Sequence, residues 1–179
     1  EPEAWDGYIG FILGTGTNCC YTEQVEKIEK LPNSVGHTMV VNIEAGGYGQ
    51  FPTGDFDRAV DARSNNPGEH PYEKMVSGGY FGEIALEMLQ GAIQEGLLAG
   101  QAPEVLEMKA ICAFLEDPGS PTPLMAFCGD PTEKEILYTL LDLLLERAAK
   151  MIAVNLTALL VQGDMGRSPA KPACIVVEG

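Results

Sequence analysis

The chain has 179 residues, of which 45% are hydrophobic and 21% are charged, a composition typical of one compact soluble domain. Its formal charge of -15 argues against nucleic acid or an anionic membrane as a partner. For the same reason, an anionic ligand has to be held by local main-chain amides or a metal ion, because the overall field repels it.

Apolar runs in the first third of the chain predict a meander of strands. Residues 7–13 form a buried strand in this prediction, and residues 19–24 form its hairpin partner. A third strand is expected at 38–43, after a polar connecting turn at 25–37.

Further along the chain, apolar residues recur at helical spacing. A short helix is predicted at 56–64 and the first long helix at 80–98, followed by a short helical piece and a Pro/Gly-rich loop at 118–123. The long helix is indicated by apolar residues three and four positions apart: Phe81, Ile84, Ala85, Met88, Leu89, Ala92 and Ile93.

A second helical region is predicted at 132–162, with a possible bend and with Thr132 and Glu135 spaced as a capping box. Its core-facing stripe comprises Leu140, Leu141, Leu144, Leu145 and Ala148. An apolar strand at 173–177 closes the chain. Strands, then helices, then one more strand indicate an α/β or α+β unit.

Three stretches combine glycines with polar side chains at strand ends or before a helix. They are GTGTN at 14–18, NIEAGGYG at 42–49 and NNPGEHPYEKMVSGG at 65–79. The first is either a plain hairpin turn or a cradle for phosphate, and free amides at the helix start after Ser77 would attract anions. Glu44 is either a surface acid or a ligand-binding carboxylate. With Glu73 it could also form a glycosidase pair, although that interpretation leaves the GTGT turn unexplained.

Taken together and in this order, the three stretches resemble the large domain of eukaryotic-type hexokinases, including glucokinase. The resemblance is strong over residues 1–100 and looser over 100–179. It implies the ribonuclease H-like fold of actin-like ATPases, with residues 1–179 as part of the large domain. It also implies a hexose, most simply glucose, and ATP with Mg²⁺ as ligands.

Carried over residue by residue, the resemblance assigns sugar contacts to Asn18, Glu44 and Glu73. His70 stands where the family often has a glutamine that touches glucose. Ionised carboxylates are strong acceptors, so several of them converging on ring hydroxyls would recognise sugar stereochemistry.

The same resemblance assigns the nucleotide side. Thr15 and Gly16 match the second phosphate-binding hairpin, Gly78 matches a glycine near the nucleotide, and Gly179 matches the start of the adenosine loop. Gly79 departs from the family, since glucokinase has a nucleotide-contacting lysine there. The general-base aspartate is expected upstream of Glu1, so these residues alone are predicted to be inactive.

The cysteines, histidines and apolar runs predict neither a protein metal site nor a membrane helix. The five cysteines form no CxxC pair and the chain has only two histidines, so no protein metal site is predicted, and a reducing, cytoplasmic compartment is favoured. No apolar run approaches the length of a membrane helix. The alternatives left open are a hexokinase-like sugar-binding or regulatory protein without catalysis and an actin-like structural protein.

Overall fold

The computed structural model describes residues 4–31, 36–119 and 121–179, and its centre is one mixed sheet. The strands are β1 (Tyr8–Leu13), β2 (Thr17–Gln24), β3 (Thr38–Asn42) and β4 (Cys174–Glu178), in the order β3-β2-β1-β4. β1 and β2 are antiparallel, as are β2 and β3, whereas β4 runs parallel to β1. The predicted meander and closing strand are confirmed. The predicted turn at 25–37 includes residues 32–35, which lie outside the described residues.

β2 begins two residues earlier than predicted, because Leu13 already pairs with Thr17 across a three-residue turn. Asn18 therefore lies in a strand and not in the turn. Since side chains alternate between the two faces of a sheet, Asn18 points away from the face that buries Thr17 and Cys19. The buried face packs on the helices, and the opposite face carries the polar ends of β2 and β3.

In the described residues, five α-helices and three 3-10 segments, together with β3, lie between β2 and β4. The α-helices are α1 (Asp55–Arg63), α2 (Pro71–Val76), α3 (Gly78–Gln94), α4 (Met108–Glu116) and α5 (Pro131–Gln162), and the 3-10 segments are Val25–Lys27, Ala45–Gly47 and Pro123–Phe127. The sequence did not predict α2, and the predicted loop at 118–123 runs into the last 3-10 segment, with residue 120 outside the described residues. None of the helices in the described part of the chain is long and apolar enough to cross a bilayer.

α5 runs as one continuous helix of 32 residues, and its start differs from the predicted one. Asp130 is the N-cap, and its carboxylate accepts the main-chain N–H groups of Thr132 and Glu133 at 2.8 and 3.0 Å. The predicted capping box of Thr132 and Glu135 is wrong, because Pro131 occupies the first helical position and moves the cap one residue before it.

The hydrophobic core lies between the sheet and the helices, mainly against α3 and α5. Leu141, Leu144 and Ala148 of the predicted stripe are buried, while Leu140 and Leu145 pack at its edge. The core residues of α3 are as predicted except that Ile93 is only partly buried: Phe81, Ile84, Ala85, Met88, Leu89 and Ala92. This packing fixes the first turn of α3 under the end of β1.

Two ion pairs with a buried partner join α1 to α5 and to α2, and a third, more exposed one joins Arg63 of α1 to Glu87 of α3 at 2.6 Å. Arg147 of α5 donates two hydrogen bonds to the buried carboxylate of Asp57, at 2.7 and 2.8 Å. Lys74 of α2, only 3% exposed, contacts Asp61 at 2.6 Å. Because both pairs are at least partly withdrawn from solvent, removing one partner would leave a poorly solvated charge.

Candidate functional site

The four predicted sugar-binding side chains line one open cleft of about 290 Å³. Asn18 comes from β2, Glu44 follows β3, His70 precedes α2, and Glu73 lies within α2. The rest of the wall consists of Ile12, Gly16, Thr17 and Gly46. Residues as distant along the chain as 18 and 73 therefore meet at one end of the sheet.

α2 is oriented by the two residues that flank Glu73. Tyr72 and Lys74 are both buried. Each lies about 100° around the helix from Glu73, on either side of it, so the buried part of α2 faces away from Glu73. Tyr72 stacks on Phe51 with ring centroids 5.4 Å apart, and burial raises the pKa of Tyr72 to about 12. The phenol is therefore neutral at physiological pH, and the helix turns Glu73 away from the core into the cleft.

Glycines make room for the Glu73 carboxylate. A Cβ added to Gly16 would lie 2.7 Å from Glu73 Oε2, and one added to Gly46 would lie 3.2 Å from Glu73 Cβ. Oε2 accepts the main-chain N–H of Thr17 at 3.0 Å, and Oε1 accepts no hydrogen bond from the described residues. One carboxylate oxygen is thus held in place while the other keeps its capacity to accept.

Asn18 is fully hydrogen-bonded within the protein. Its Oδ1 accepts the main-chain N–H groups of Cys19 at 2.8 Å and Ala45 at 3.3 Å. Its Nδ2 donates to Asn42 Oδ1 at 2.9 Å and to Glu44 Oε1 at 3.3 Å. A carboxamide has two donor hydrogens and two acceptor lone pairs, so all four positions are occupied.

Two cleft residues have left-handed backbone conformations that favour glycine. Glu44 has φ 53° and His70 has φ 49°, and Asp164 is the one other non-glycine with positive φ among the described residues. Glu44 directly precedes the segment Ala45–Gly47, and His70 directly precedes Pro71 at the start of α2. Such conformations are strained and concentrate at ligand-binding positions.

The turn before His70 is held by Lys74 and Asp61. Lys74 Nζ donates to Asp61 Oδ1 at 2.6 Å and to the carbonyl of Asn66 at 2.7 Å, while Gly68 N–H donates to both Asp61 oxygens. The hydrogen bond from Lys74 lowers the pKa of Asp61, and the one from Gly68 adds to it. The same helix that carries Glu73 therefore also anchors the loop that leads to His70.

The GTGT turn leaves hydrogen-bond donors free. Gly14 N–H donates to the Gly16 carbonyl at 2.9 Å, whereas the main-chain N–H groups of Thr15 and Gly16 have no acceptor among the described residues. The exposed Thr15 side chain adds a hydroxyl. Successive free amides in a tight turn form a concave anion site, so these residues fit phosphate oxygens.

The helix start after Ser77 does not supply free amides, contrary to the sequence-based expectation. Gly78 N–H donates to the Gly14 carbonyl at 2.8 Å, and Gly79 N–H donates to the Thr15 carbonyl at 3.2 Å. The first turn of α3 therefore holds the GTGT turn through its carbonyls. The two helix amides therefore donate to protein carbonyls, and the donors available to an anion are the main-chain N–H groups of Thr15 and Gly16.

Gly179 lies at the same end of the sheet. A Cβ on Gly179 would come within 1.9 Å of the Leu13 carbonyl oxygen, and one on Gly14 would lie 3.5 Å from Gly179 Cα. The four residues predicted for the nucleotide, Thr15, Gly16, Gly78 and Gly179, are thus gathered around one turn, next to the cleft that contains Glu73.

A sequence model of the family described as Hexokinase matches residues 8–179. The chain belongs to the hexokinase family.

Similar proteins of known family agree with this assignment. Hexokinase-1 of Oryza sativa subsp. japonica is 32% identical over 97% of this chain and 40% of its own length. The chloroplastic hexokinase-2 of Nicotiana tabacum is 41% identical over 63% of this chain and 25% of its own length. Hexokinase-2 of Homo sapiens is 41% identical over 58% of this chain and 12% of its own length. This hexokinase chain therefore spans well under half of each of these relatives.

Solved structures support the predicted fold. A hexokinase from Schistosoma mansoni, complexed with glucose, superposes on the whole of this chain and 44% of its own, with a TM-score of 0.79 at 24% identity. A second hexokinase crystal structure covers 96% of the chain with a TM-score of 0.76. The ribonuclease H-like fold of actin-like ATPases, with α and β elements, is confirmed for this hexokinase chain.

Membership in the hexokinase family favours the sugar-kinase interpretation of Glu44 and Glu73 over the glycosidase pair. The side chain of Asn42 hydrogen-bonds Asn18 and Glu44, and the sequence assigned it no role. Its signal was weak but present, since it stands two residues before Glu44 at the end of a predicted strand. Among the described residues there is no group of three or more His, Cys, Asp or Glu side chains that could hold a metal ion.

Proposed function

We propose that this hexokinase chain forms the hexose-binding and phosphate-binding part of the large domain of an ATP-dependent sugar kinase, with glucose as the simplest substrate. The observation that carries the proposal is the single cleft lined by Asn18, Glu44, His70 and Glu73. Beside it lies a turn whose Thr15 and Gly16 amides have no acceptor in the described part of the chain. A sugar hydroxyl in the cleft and a phosphate at the turn would be close neighbours.

The hydrogen bonding of Asn18 supports a definite mode of sugar binding. Its contact with Glu44 Oε1 is long, at 3.3 Å, and joins the two residues assigned to one sugar. A ring hydroxyl entering between them would accept from Asn18 Nδ2 and donate to Glu44. Hydrogen bonds to a charged acceptor contribute about 1.5–3 kcal/mol each, so this exchange favours the bound sugar.

Glu73 supports recognition of a second hydroxyl. Because Thr17 N–H holds Oε2, Oε1 is the oxygen available to accept from the ligand. The glycines at 16 and 46 leave room for this carboxylate, since a Cβ at either position would crowd Glu73. Two carboxylates in one cleft favour neutral polyols over anionic sugars, since a negative ligand group would be repelled by both.

The nucleotide would be held at the GTGT turn. Thr15 and Gly16 would donate to phosphate oxygens, and Gly78 and Gly179 would let the ligand approach the backbone closely. Mg-ATP supplies the phosphoryl group that passes to the sugar 6-hydroxyl, a transfer that depends mainly on positioning and charge neutralisation. The part of this chain is to orient the hydroxyls and the phosphates, and we assign the general base to no residue of it.

A sugar-binding or regulatory protein without phosphoryl transfer is the second candidate. The observation in its favour is Gly79. It has no side chain to place at the GTGT turn, and its N–H already donates to the Thr15 carbonyl. The two candidates share the sugar cleft and differ in turnover.

A two-part experiment tests the proposal. The chain would be titrated with D-glucose while its main-chain amide signals are followed by NMR. We expect the largest shifts at Thr17, Cys19 and Ala45, whose N–H groups donate to Glu73 or Asn18. At the same glucose concentration, Glu44→Ala should sharply reduce these shifts, and Glu83→Ala, at an exposed acid on α3, should leave them unchanged. Glucose-independent spectra would overturn the sugar site.

The second part is a coupled ADP-release assay on the full polypeptide that carries these residues, with glucose and Mg-ATP. Turnover that disappears with Glu44→Ala supports the kinase. Glucose binding without turnover supports the second candidate.

A further inference from the structure

We infer that Asn42 is a positioning residue that sets the geometry between Asn18 and Glu44 in the sugar cleft. The inference rests on the proposed function, since it concerns the same cleft. Asn42 ends β3 and accepts the Asn18 Nδ2–H at Oδ1 over 2.9 Å. Its own Nδ2 donates to Glu44 Oε1. One carboxamide thus connects the two groups that would take a hydroxyl between them.

The strand register places Asn42 for this role. Cys20 pairs with Asn42 across β2 and β3, so Asn18 lies on the same face of the sheet, two residues along β2. This face is opposite the one that buries Thr17 and Cys19, and Asn42 is solvent-exposed on it. Asn42 therefore contributes little to the core, so a substitution there should remove mainly its hydrogen bonds to Asn18 and Glu44.

Only a side chain with both a donor and an acceptor can make both contacts. Aspartate would still accept from Asn18, but it would place an acceptor, normally charged, against Glu44. Alanine would make neither contact. The left-handed backbone at Glu44 (φ 53°) gives this carboxylate an unusual direction, and the hydrogen bond from Asn42 holds it there.

The direct Asn18–Glu44 contact and the bridged one differ in strength. The direct contact is 3.3 Å long, and a sugar hydroxyl replaces it. The hydrogen bonds of Asn42 to Asn18 and to Glu44 are kept when the sugar binds. The bridge thereby keeps donor and acceptor in place while the hydroxyl inserts. Pre-orientation of this kind raises affinity by lowering the ordering cost of binding.

A double-mutant cycle tests the inference, with D-glucose affinity measured by calorimetry. Asn42→Ala should weaken binding about 2- to 13-fold, the loss expected for one net hydrogen bond. Asn42→Asp should weaken it at least as much. In a Glu44→Ala background, where residual binding is followed by NMR, Asn42→Ala should weaken binding less than it does in the unsubstituted chain, because only its contact with Asn18 remains to be lost. Equal effects in both backgrounds would overturn the positioning role.

The control is Val40→Ala, two residues earlier on the same strand and face, where the side chain is 63% exposed. It should leave affinity unchanged, and none of the single variants should lower the urea midpoint appreciably. If Asn42→Ala unfolds the chain, Asn42→Asp, which keeps the Asn18 contact, takes its place in the cycle.

A readout without sugar separates this inference from the proposed function. In the unliganded chain, the side-chain amide protons of Asn18 should exchange faster with water in Asn42→Ala than in Val40→Ala. If no variant and no unsubstituted chain binds glucose, the proposed function fails, and amide exchange alone decides the role of Asn42. Unchanged exchange would show that Asn42 does not hold Asn18.

Discussion

The main-chain N–H of Thr17 donates to Glu73 Oε2 over 3.0 Å and thereby joins two residues 56 positions apart. Thr17 directly follows the turn that we propose binds phosphate, and Glu73 is a carboxylate of the proposed sugar cleft. One hydrogen bond therefore links the two halves of the candidate site, and a change on either side should be measurable on the other.

Glu73→Gln removes the charge and keeps the size of this side chain. The amide oxygen can still accept from Thr17, so the fold should be retained. Binding of D-glucose should weaken roughly 10- to 150-fold, which corresponds to the loss of one charge-assisted hydrogen bond of about 1.5–3 kcal/mol. Calorimetry at pH 7 measures it. Glu83→Gln, at an exposed acid on α3, is the matched control, and equal affinity in the two variants would remove Glu73 from the sugar site.

Gly16→Ala tests the contact between turn and carboxylate. The new Cβ would lie 2.7 Å from Glu73 Oε2, so the carboxylate must move and lose its bond to Thr17. We expect glucose affinity to fall at least about 5-fold, the equivalent of one net hydrogen bond. Gly47→Ala is the control, since an added Cβ there meets nothing within 4 Å. If both variants bind glucose like the unsubstituted chain, the carboxylate has more freedom than the packing indicates.

Asp61→Asn should make stability less dependent on pH. Lys74 lowers the pKa of Asp61, and a carboxyl with a depressed folded pKa contributes stability above its unfolded pKa of about 3.9. That contribution is lost as the pH falls through the lower folded pKa. The urea midpoints of the variant and the unsubstituted chain should therefore differ most at pH 7 and converge toward pH 3.

The loss at neutral pH should lie near the low end of the roughly 3–5 kcal/mol found for one partner of a buried pair, because Asp61 is about one third exposed. Asp142→Asn, at an exposed site on α5, is the control. A difference of the same size at pH 3 and pH 7 would mean that the pair does not act through its charge.

Arg147→Lys should destabilise the junction of α1 and α5. Lysine cannot reproduce the two parallel hydrogen bonds that the guanidinium donates to the buried Asp57 carboxylate. A loss of about 1–3 kcal/mol in the free energy of unfolding is expected from the unsatisfied oxygen. Arg58→Lys, in an exposed pair with Asp55, should change it by less than about 0.5 kcal/mol. Equal losses would indicate that Asp57 is better solvated than its burial suggests.

The sequence predicted those features of the site that continuous motifs carry. Asn18, Glu44 and Glu73 could be named because each stands in an uninterrupted run of family-like residues. Asn42 had only a weak signal, its place two residues before Glu44, because its contact with Asn18 depends on the pairing of β2 with β3. The meander was predictable since alternation and turn residues are local signals.

The contacts that position the site arise from tertiary structure. The first amides of α3 donate to carbonyls of residues 14 and 15, more than 60 positions earlier, so the sequence shows only a helix start that looks free. α2, Pro71–Val76, has only six residues and is too short for a periodic pattern. The capping-box spacing of Thr132 and Glu135 gave the wrong cap for α5, because Asp130 and Pro131 begin the helix before it.

β1 has one neighbour that follows it immediately and another, β4, that arrives only after all five helices. Closing a long loop costs more chain entropy than closing a short one, so pairings between distant segments form more slowly. The turn between β1 and β2 closes a short loop, whereas the parallel pairing of β1 with β4 closes one that contains β2, β3 and the five α-helices of the described residues. We therefore expect the β1–β2 hairpin to form before β4 and Gly179 join the sheet.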